Sequence, residues 1–171
     1  DLSSMLEKHV SITPYIVHHD DAEMTEPTGE FYQGPDDLLK YLQFTYCIKC
    51  GCCMAACPTM ATDNAYIGPQ PLAQAYRYSA DNRDEGYENR KEKISESHGI
   101  FSCHYGGECS AVCPKGVDPA RAIQLMKRRL FYDFLKLTKK HKSPQILKKP
   151  EGVERRSDIP FPPEYTVPQS D

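Results

Sequence analysis

The sequence predicts a mainly α-helical fold in which short helices carry two cysteine-rich loops. Three observations predict it. Cysteines recur in two near-identical runs, each closed by Cys-Pro. Apolar residues step by three or four along the segments before, between and after those runs. Helix-opening pairs precede such segments at Gly34-Pro35, Gly68-Pro69 and Asp118-Pro119.

Residues 2–9 place Leu2, Met5, Leu6 and His9 on one helical face behind Asp1, a candidate cap. Residues 18–34 are acidic and turn-rich. His18, His19, Asp20 and Asp21 lie together there and read as a solvated loop, with a metal site as the alternative. Gly34-Pro35-Asp36 opens a short helix with Leu38, Leu39 and Leu42 facing inward, which delivers the chain to Cys47. After Gly68-Pro69, Leu72, Ala75, Tyr76 and Ser79 keep helical spacing. The charged stretch from Asp81 to Ser97 reads as a turn and an exposed helix. Asp118 caps a further helix with proline at its first position. Ile123, Met126, Leu130, Phe134 and Leu137 give it one buried stripe, ending near residues 139–142. The basic residues there suit anionic lipid headgroups or simply a helix C-terminus. The organisation expected is a helical lead-in over 1–46, a cysteine-bearing domain over 47–142, and an extended proline-rich tail over 143–171 that packs on a partner or stays mobile.

The first run is Cys47-x2-Cys50-x2-Cys53-x3-Cys57-Pro58, and the second is Cys103-x2-Gly106-x2-Cys109-x3-Cys113-Pro114. This is the spacing of two-cluster ferredoxins, in which the fourth cysteine of a run ligates the other cluster. By that rule Cys47, Cys50, Cys53 and Cys113 hold a 4Fe–4S cluster. Cys57, Cys103 and Cys109, with Gly106 where a fourth thiolate would stand, suit a 3Fe–4S cluster. The fold expected is an α-helical two-cluster ferredoxin-like domain with cluster-binding loops. Proline ends each loop because it cannot donate into the turn. Cys52 falls outside the pattern and reads as a small buried residue beside the cluster. Zinc takes thiolates too, but its ribbons pair two C-x2-C knuckles and not interlocking triplets. A disulfide framework fits closely spaced triplets poorly.

Composition narrows the classes. The chain has 171 residues, the size of one ordinary domain, with eight cysteines and a net charge of −3. Thiols kept for ligation belong to a reducing compartment. The charge gives no footprint for nucleic acid. No apolar run approaches the roughly 20 residues that span a bilayer. Hydrophobic residues make up 39%, low for a self-sufficient core, so bound clusters and partner subunits are expected to add stability. The chain starts at Asp1 without a methionine, as a processed protein or a piece of a longer one would.

Cys47-Ile48-Lys49-Cys50-Gly51-Cys52-Cys53, Ile67-Gly68-Pro69, Ala75-Tyr76-Arg77-Tyr78 and Asn82-Arg83-Asp84 resemble the iron–sulfur subunit of succinate dehydrogenases and fumarate reductases. So do Phe101-Ser102-Cys103-His104 and the stretch Cys113-Pro114-Lys115-Gly116-Val117-Asp118-Pro119-Ala120-Arg121-Ala122-Ile123. The match runs in register from Tyr46 to Lys127, its C-terminal two-cluster domain.

The resemblance implies an electron-transfer subunit of a succinate:quinone oxidoreductase (respiratory complex II), not catalytic alone. A flavoprotein partner carries FAD, and electrons pass through a 2Fe–2S, the 4Fe–4S and the 3Fe–4S cluster to a quinone at membrane-anchor subunits. The family's N-terminal 2Fe–2S domain is not in this sequence, so it is expected to be cut away or to sit on a separate chain. Positions matching the family's quinone site are Pro58, Thr62, His104, Gly106, Gln124 and Lys127. His104 reads either as a proton donor to quinone or as a structural hydrogen bond. Lys127 reads either as a proton carrier or as the partner of a carboxylate on another subunit. The sequence has no tryptophan where ubiquinone-linked members carry Trp-Trp after the first Cys-Pro. That favours a menaquinone-like quinone and the cytoplasmic face of a prokaryotic membrane, with the mitochondrial matrix face as the alternative. Two other functions stay open: a soluble ferredoxin-like carrier, and the iron–sulfur subunit of a thiol-linked fumarate reductase or heterodisulfide-reductase-like complex.

Overall fold

The computed structural model describes residues 2–26, 28–137 and 144–148. The fold is mainly α-helical, as expected. In chain order come α1 (Ser3–Val10), α2 (Asp21–Thr25), β1 (Gly29–Phe31), α3 (Pro35–Leu39), α4 (Leu42–Thr45), α5 (Cys52–Ala55) and α6 (Pro58–Thr62). Then follow α7 (Pro69–Ala80), α8 (Tyr87–Ile94), a 3-10 turn at Ile100–Ser102, α9 (Glu108–Ala111), α10 (Pro119–Phe134) and β2 (Ile146–Lys148). The two strands pair antiparallel, with Gly29 opposite Lys148 and Phe31 opposite Ile146.

Helix α7 is the hub. It packs on α10 and also meets α1, α4, α5 and α8. Its start is set by Gly68 and by Pro69 in the first turn. Gly68 has φ +98, and a Cβ there would lie 2.5 Å from the Met54 side chain, so this close approach requires glycine. Leu72 and Ala75 join Ile12, Tyr66, Ile67, Ile94, Ile100, Ile123, Met126 and Leu130 in the main core. Ala73, on another side of α7, packs with Tyr41, Phe44, Val117 and Ala122, and Cys47 and Cys113 lie against that cluster. Helix α10 starts as expected: the Asp118 carboxylate accepts from Arg121 N at 3.0 Å.

Several elements differ from their sequence reading. In α1 only Met5 and His9 are buried, while Leu2 and Leu6 are about half exposed. Its N-cap is Leu2, without a side-chain bond, and Asp1 lies outside the described residues. The helix before Cys47 is broken into α3 and α4, which shifts its phase. Tyr41 and Phe44 turn inward, Leu42 is half-buried, and Leu38 and Leu39 face solvent. Helix α10 ends at Phe134 and Lys136 takes a left-handed φ of 54, so the buried stripe stops at Leu130. Phe134 and Leu137 are exposed. Residues 138–143 and 149–171, including the expected basic helix end and most of the tail, lie outside the described residues. Within the tail, Ile146–Lys148 is extended but pairs with β1 of this same chain.

The charged stretch after α7 is no solvated helix. Tyr87, Arg90 and Ile94 of α8 are buried, and Arg90 is 0% exposed. Its guanidinium donates to both carboxylate oxygens of Asp84, at 2.6 and 2.9 Å, and to the carbonyls of Thr13 and Tyr15. A bidentate partner and two carbonyls satisfy the buried charge. Asp81 makes a second clamp, taking two bonds from Arg83 while Arg83 also donates to the Tyr41 hydroxyl. Both clamps tie residues 13–41 to the helical core.

The His18–Asp21 grouping is taken apart by the fold. His18 stacks on Phe31 at 4.3 Å and lies 3.6 Å from Glu85. Asp20 caps α2 by accepting from Ala22 N and Glu23 N. Among the described residues, no group of three or more His, Cys, Asp or Glu converges on a single-ion site.

Candidate metal centres

The two cysteine runs fold into the same loop twice. Lys49 and Tyr105 are both left-handed, with φ 55 and 60. Gly51 and Gly107 follow, each with φ 81, and each caps a four-residue helix, α5 or α9. Cys50 in one loop therefore corresponds to Gly106 in the other. Successive N–H groups turned by such left-handed steps form concavities suited to anions.

Each loop walls a cavity. The first, of about 400 Å³ out to its open mouth, is lined by Cys47, Cys50, Cys52, Cys53 and Cys113, with Gln70, Ala73 and Val117 behind them. The second, of about 320 Å³, is lined by Cys57, Cys103 and Cys109, with Gly106, Pro58 and Tyr66. The fourth cysteine of each run thus crosses over: Cys57 lines the cavity of the second run, and Cys113 lines that of the first. Cys53 and Cys109 are both buried and meet Ala120 of α10 between the two spaces.

The thiols are arranged around a volume and not around a point, which suits a cluster with its own sulfides better than one ion. Their electrostatics agree. Burial pushes the Cys53 thiol up to about 12, helped by Cys47, Cys109, Cys50 and Cys113 around it. Burial also raises Cys109, and Cys103 and Cys57 add to that against a hydrogen bond with Ser110. So many thiolates in one small space repel, and bound iron relieves that repulsion by replacing protons. One bond to a cavity-lining sulfur is already in place, from Val117 N to Cys113 Sγ at 3.4 Å.

Cys52 opens α5 and is exposed at the first cavity, not buried as the sequence suggested. Of the positions matched to a quinone site, the structure brings Pro58 and Gly106 together. A Cβ on Gly106 would lie 3.3 Å from Pro58 Cγ. Lys127 donates to the Cys103 carbonyl at 2.9 Å, so within this chain it already has a partner on the cluster loop. His104 is exposed on that loop. Gln124 is half-buried, with its side-chain nitrogen buried and unpartnered. Thr62 is exposed and turned to its own helix, bonding the Pro58 and Thr59 carbonyls. Tyr66, which lines the second cavity, was not singled out by the sequence.

A protein family described as a 4Fe–4S dicluster domain matches residues 46–118. The fumarate reductase iron–sulfur subunit of Mycobacterium tuberculosis is 41% identical over 127 residues, covering 74% of this chain and 51% of that protein. That of Escherichia coli O6:H1 is 41% identical over 140 residues, covering 82% and 56%. The chain is a homologue of fumarate reductase iron–sulfur subunits. The Haemophilus influenzae subunit, 38% identical over 143 residues, covers 79% of this chain and 56% of its own length. The chain spans about half the length of these curated relatives. No described helix is long and apolar enough to cross a membrane.

Proposed function

We propose that this chain is the electron-transfer iron–sulfur subunit of a succinate:quinone oxidoreductase, a succinate dehydrogenase or fumarate reductase. The observation that carries the reading is the division of the seven cysteines of the repeated spacing between two adjacent cavities, four and three, with Cys52 as an extra thiol at the first and Gly106 at the place of an eighth ligand in the second. Cys47, Cys50, Cys53 and Cys113 would hold the 4Fe–4S cluster, and Cys57, Cys103 and Cys109 the 3Fe–4S cluster. When bound, these clusters supply one-electron carriers between a flavoprotein with its 2Fe–2S centre and a membrane quinone of menaquinone type.

The residues of the chain fit that role. Lys127 steadies the second loop through the Cys103 carbonyl. Pro58, His104 and Gly106 are exposed on or beside that loop, where a quinone ring could approach. Phe101, Tyr105, Phe131, Phe134 and Leu137 expose apolar surface on the second loop, the turn before it and the end of α10. That surface suits anchor subunits on the cytoplasmic side of a membrane.

The test is metal content and electron paramagnetic resonance of the full chain after cluster assembly. We expect about seven irons per chain and an oxidised three-iron signal after exposure to air. About eight irons with no such signal would assign two 4Fe–4S clusters instead, and tightly bound zinc would remove the redox function altogether.

A further inference from the structure

We propose that the Tyr66 hydroxyl donates a hydrogen bond to a sulfur of the cluster in the three-cysteine cavity, and that this bond raises the cluster's reduction potential. The inference rests on the cluster reading above and adds to it a residue that the cysteine pattern does not contain.

Tyr66 is 0% exposed and lines the cavity beside Cys57, Cys103 and Cys109. Its oxygen is buried and has no hydrogen-bond partner. A buried hydroxyl left unpaired forfeits its hydration with nothing in return, so such an orphan signals a missing acceptor. The cavity lining holds the sulfurs of Cys57, Cys103 and Cys109 beside apolar Pro69, Ala120 and Ile123, and its other polar side chains are Thr59, Tyr105 and Glu108. The main chain of Tyr66 is held on both sides: its N–H donates to the Asp63 carbonyl, and its carbonyl accepts from Lys8 Nζ at 2.7 Å. Its ring belongs to the main core with Ile67 and Leu72. The hydroxyl is therefore aimed by packing and cannot swing to solvent.

A phenol hydroxyl carries one O–H to donate. Reduction adds one electron to the cluster, and the proton stays on Tyr66 Oη. A donor to sulfur favours the more electron-rich state, which is how hydrogen bonds set cluster potentials. The other cavity has no hydroxyl among its lining residues; besides the cysteines, Gln70 and Lys115 are the polar side chains in its wall. The bond therefore acts on one centre only, the one whose loop carries His104 and Gly106.

The experiment uses the full chain with its clusters assembled, as wild type and as Tyr66→Phe, titrated potentiometrically with both centres followed by paramagnetic resonance. We expect the three-iron midpoint to shift to lower potential while the four-iron midpoint and the iron content stay unchanged. After exchange into D2O, the wild-type three-iron centre should show a coupled exchangeable deuteron that the variant lacks. A fluorinated tyrosine incorporated at position 66 is a stronger donor and should move the midpoint the other way. An unshifted midpoint in a fully loaded Tyr66→Phe, or the same deuteron coupling in both proteins, overturns the role of Tyr66 and leaves the clusters standing. If Tyr66→Phe does not load, the fluorinated chain decides, and an unmoved midpoint there overturns the proposal. Absence of any three-iron signal from wild type overturns the cluster reading and this inference together.

Discussion

At the scale of single residues, Gly106 is the position where one side chain changes the chemistry. It stands where Cys50 stands in the other loop, and the left-handed residues around it are Tyr105 and Gly107, not Gly106 itself. A cysteine there needs no forbidden backbone, only a shift of a few tenths of an ångström against Pro58. Gly106→Cys should therefore raise the iron content by about one per chain and replace the three-iron signal by that of a second four-iron centre. Iron analysis with paramagnetic resonance checks this. An assembled variant that keeps the three-iron signal would show that the cavity wall, not the ligand count, excludes the fourth iron. The grouping of seven cysteines around two cavities was legible because a shared site demands fixed spacing, and spacing is what a sequence records directly. Tyr66 and the exposure of Cys52 were not, since both depend on which way a side chain points once distant segments have packed.

At the scale of elements, the buried ion pairs are the places where the sequence misled most. Helix α8 reads as solvated because its charges outnumber its apolar residues, yet Arg90 of α8 and Asp84 just before it are among the least exposed residues present. Periodicity cannot show that a charge has a partner six residues away and two carbonyls from the lead-in. Arg90→Met removes the cation and strands Asp84, and we expect it to cost about 3–5 kcal/mol in denaturant unfolding. Asp81 gives a pH signature. Burial pushes its carboxyl up, but hydrogen bonds and charge from Arg83, with a bond from Tyr41, prevail and hold it below its ordinary 3.8. A group depressed in the folded state contributes stability above its ordinary value, and that contribution is lost as pH falls through 3.8 and below. Asp81→Asn should therefore be less stable near neutrality, by about 1–3 kcal/mol, and lose less on acidification than wild type. Parallel melts at neutral and acid pH check both halves of that expectation.

At the scale of the whole molecule, residues 2–46 are no mere lead-in. Their backbone carbonyls feed the Arg90 clamp, Met5, Ile12, Tyr41 and Phe44 are buried, and Gly29–Phe31 pairs with Ile146–Lys148. The sequence could not reveal that pairing, because two three-residue strands are too short to leave an alternation. Gly29 allows it: a Cβ there would meet the Leu147 carbonyl oxygen at 2.2 Å. Hydrogen exchange on the full chain should find the amide of Tyr32, which donates to the Gln145 carbonyl at 2.8 Å, slowed in wild type and fast in Gly29→Val. Equal rates in the two proteins would mean that the ribbon does not close in solution.

The crossing of Cys57 and Cys113 between the two loops has a consequence for biogenesis. Each cavity borrows a wall from the other loop, so neither can be finished while its neighbour is unfolded. Filling one fixes a cysteine of the second in place and spares the next filling that ordering cost, which is positive cooperativity between the sites. Maturation should then run close to all-or-none, with chains that are empty or full and few in between. A cell short of iron would accumulate fewer complete subunits, not many half-built ones.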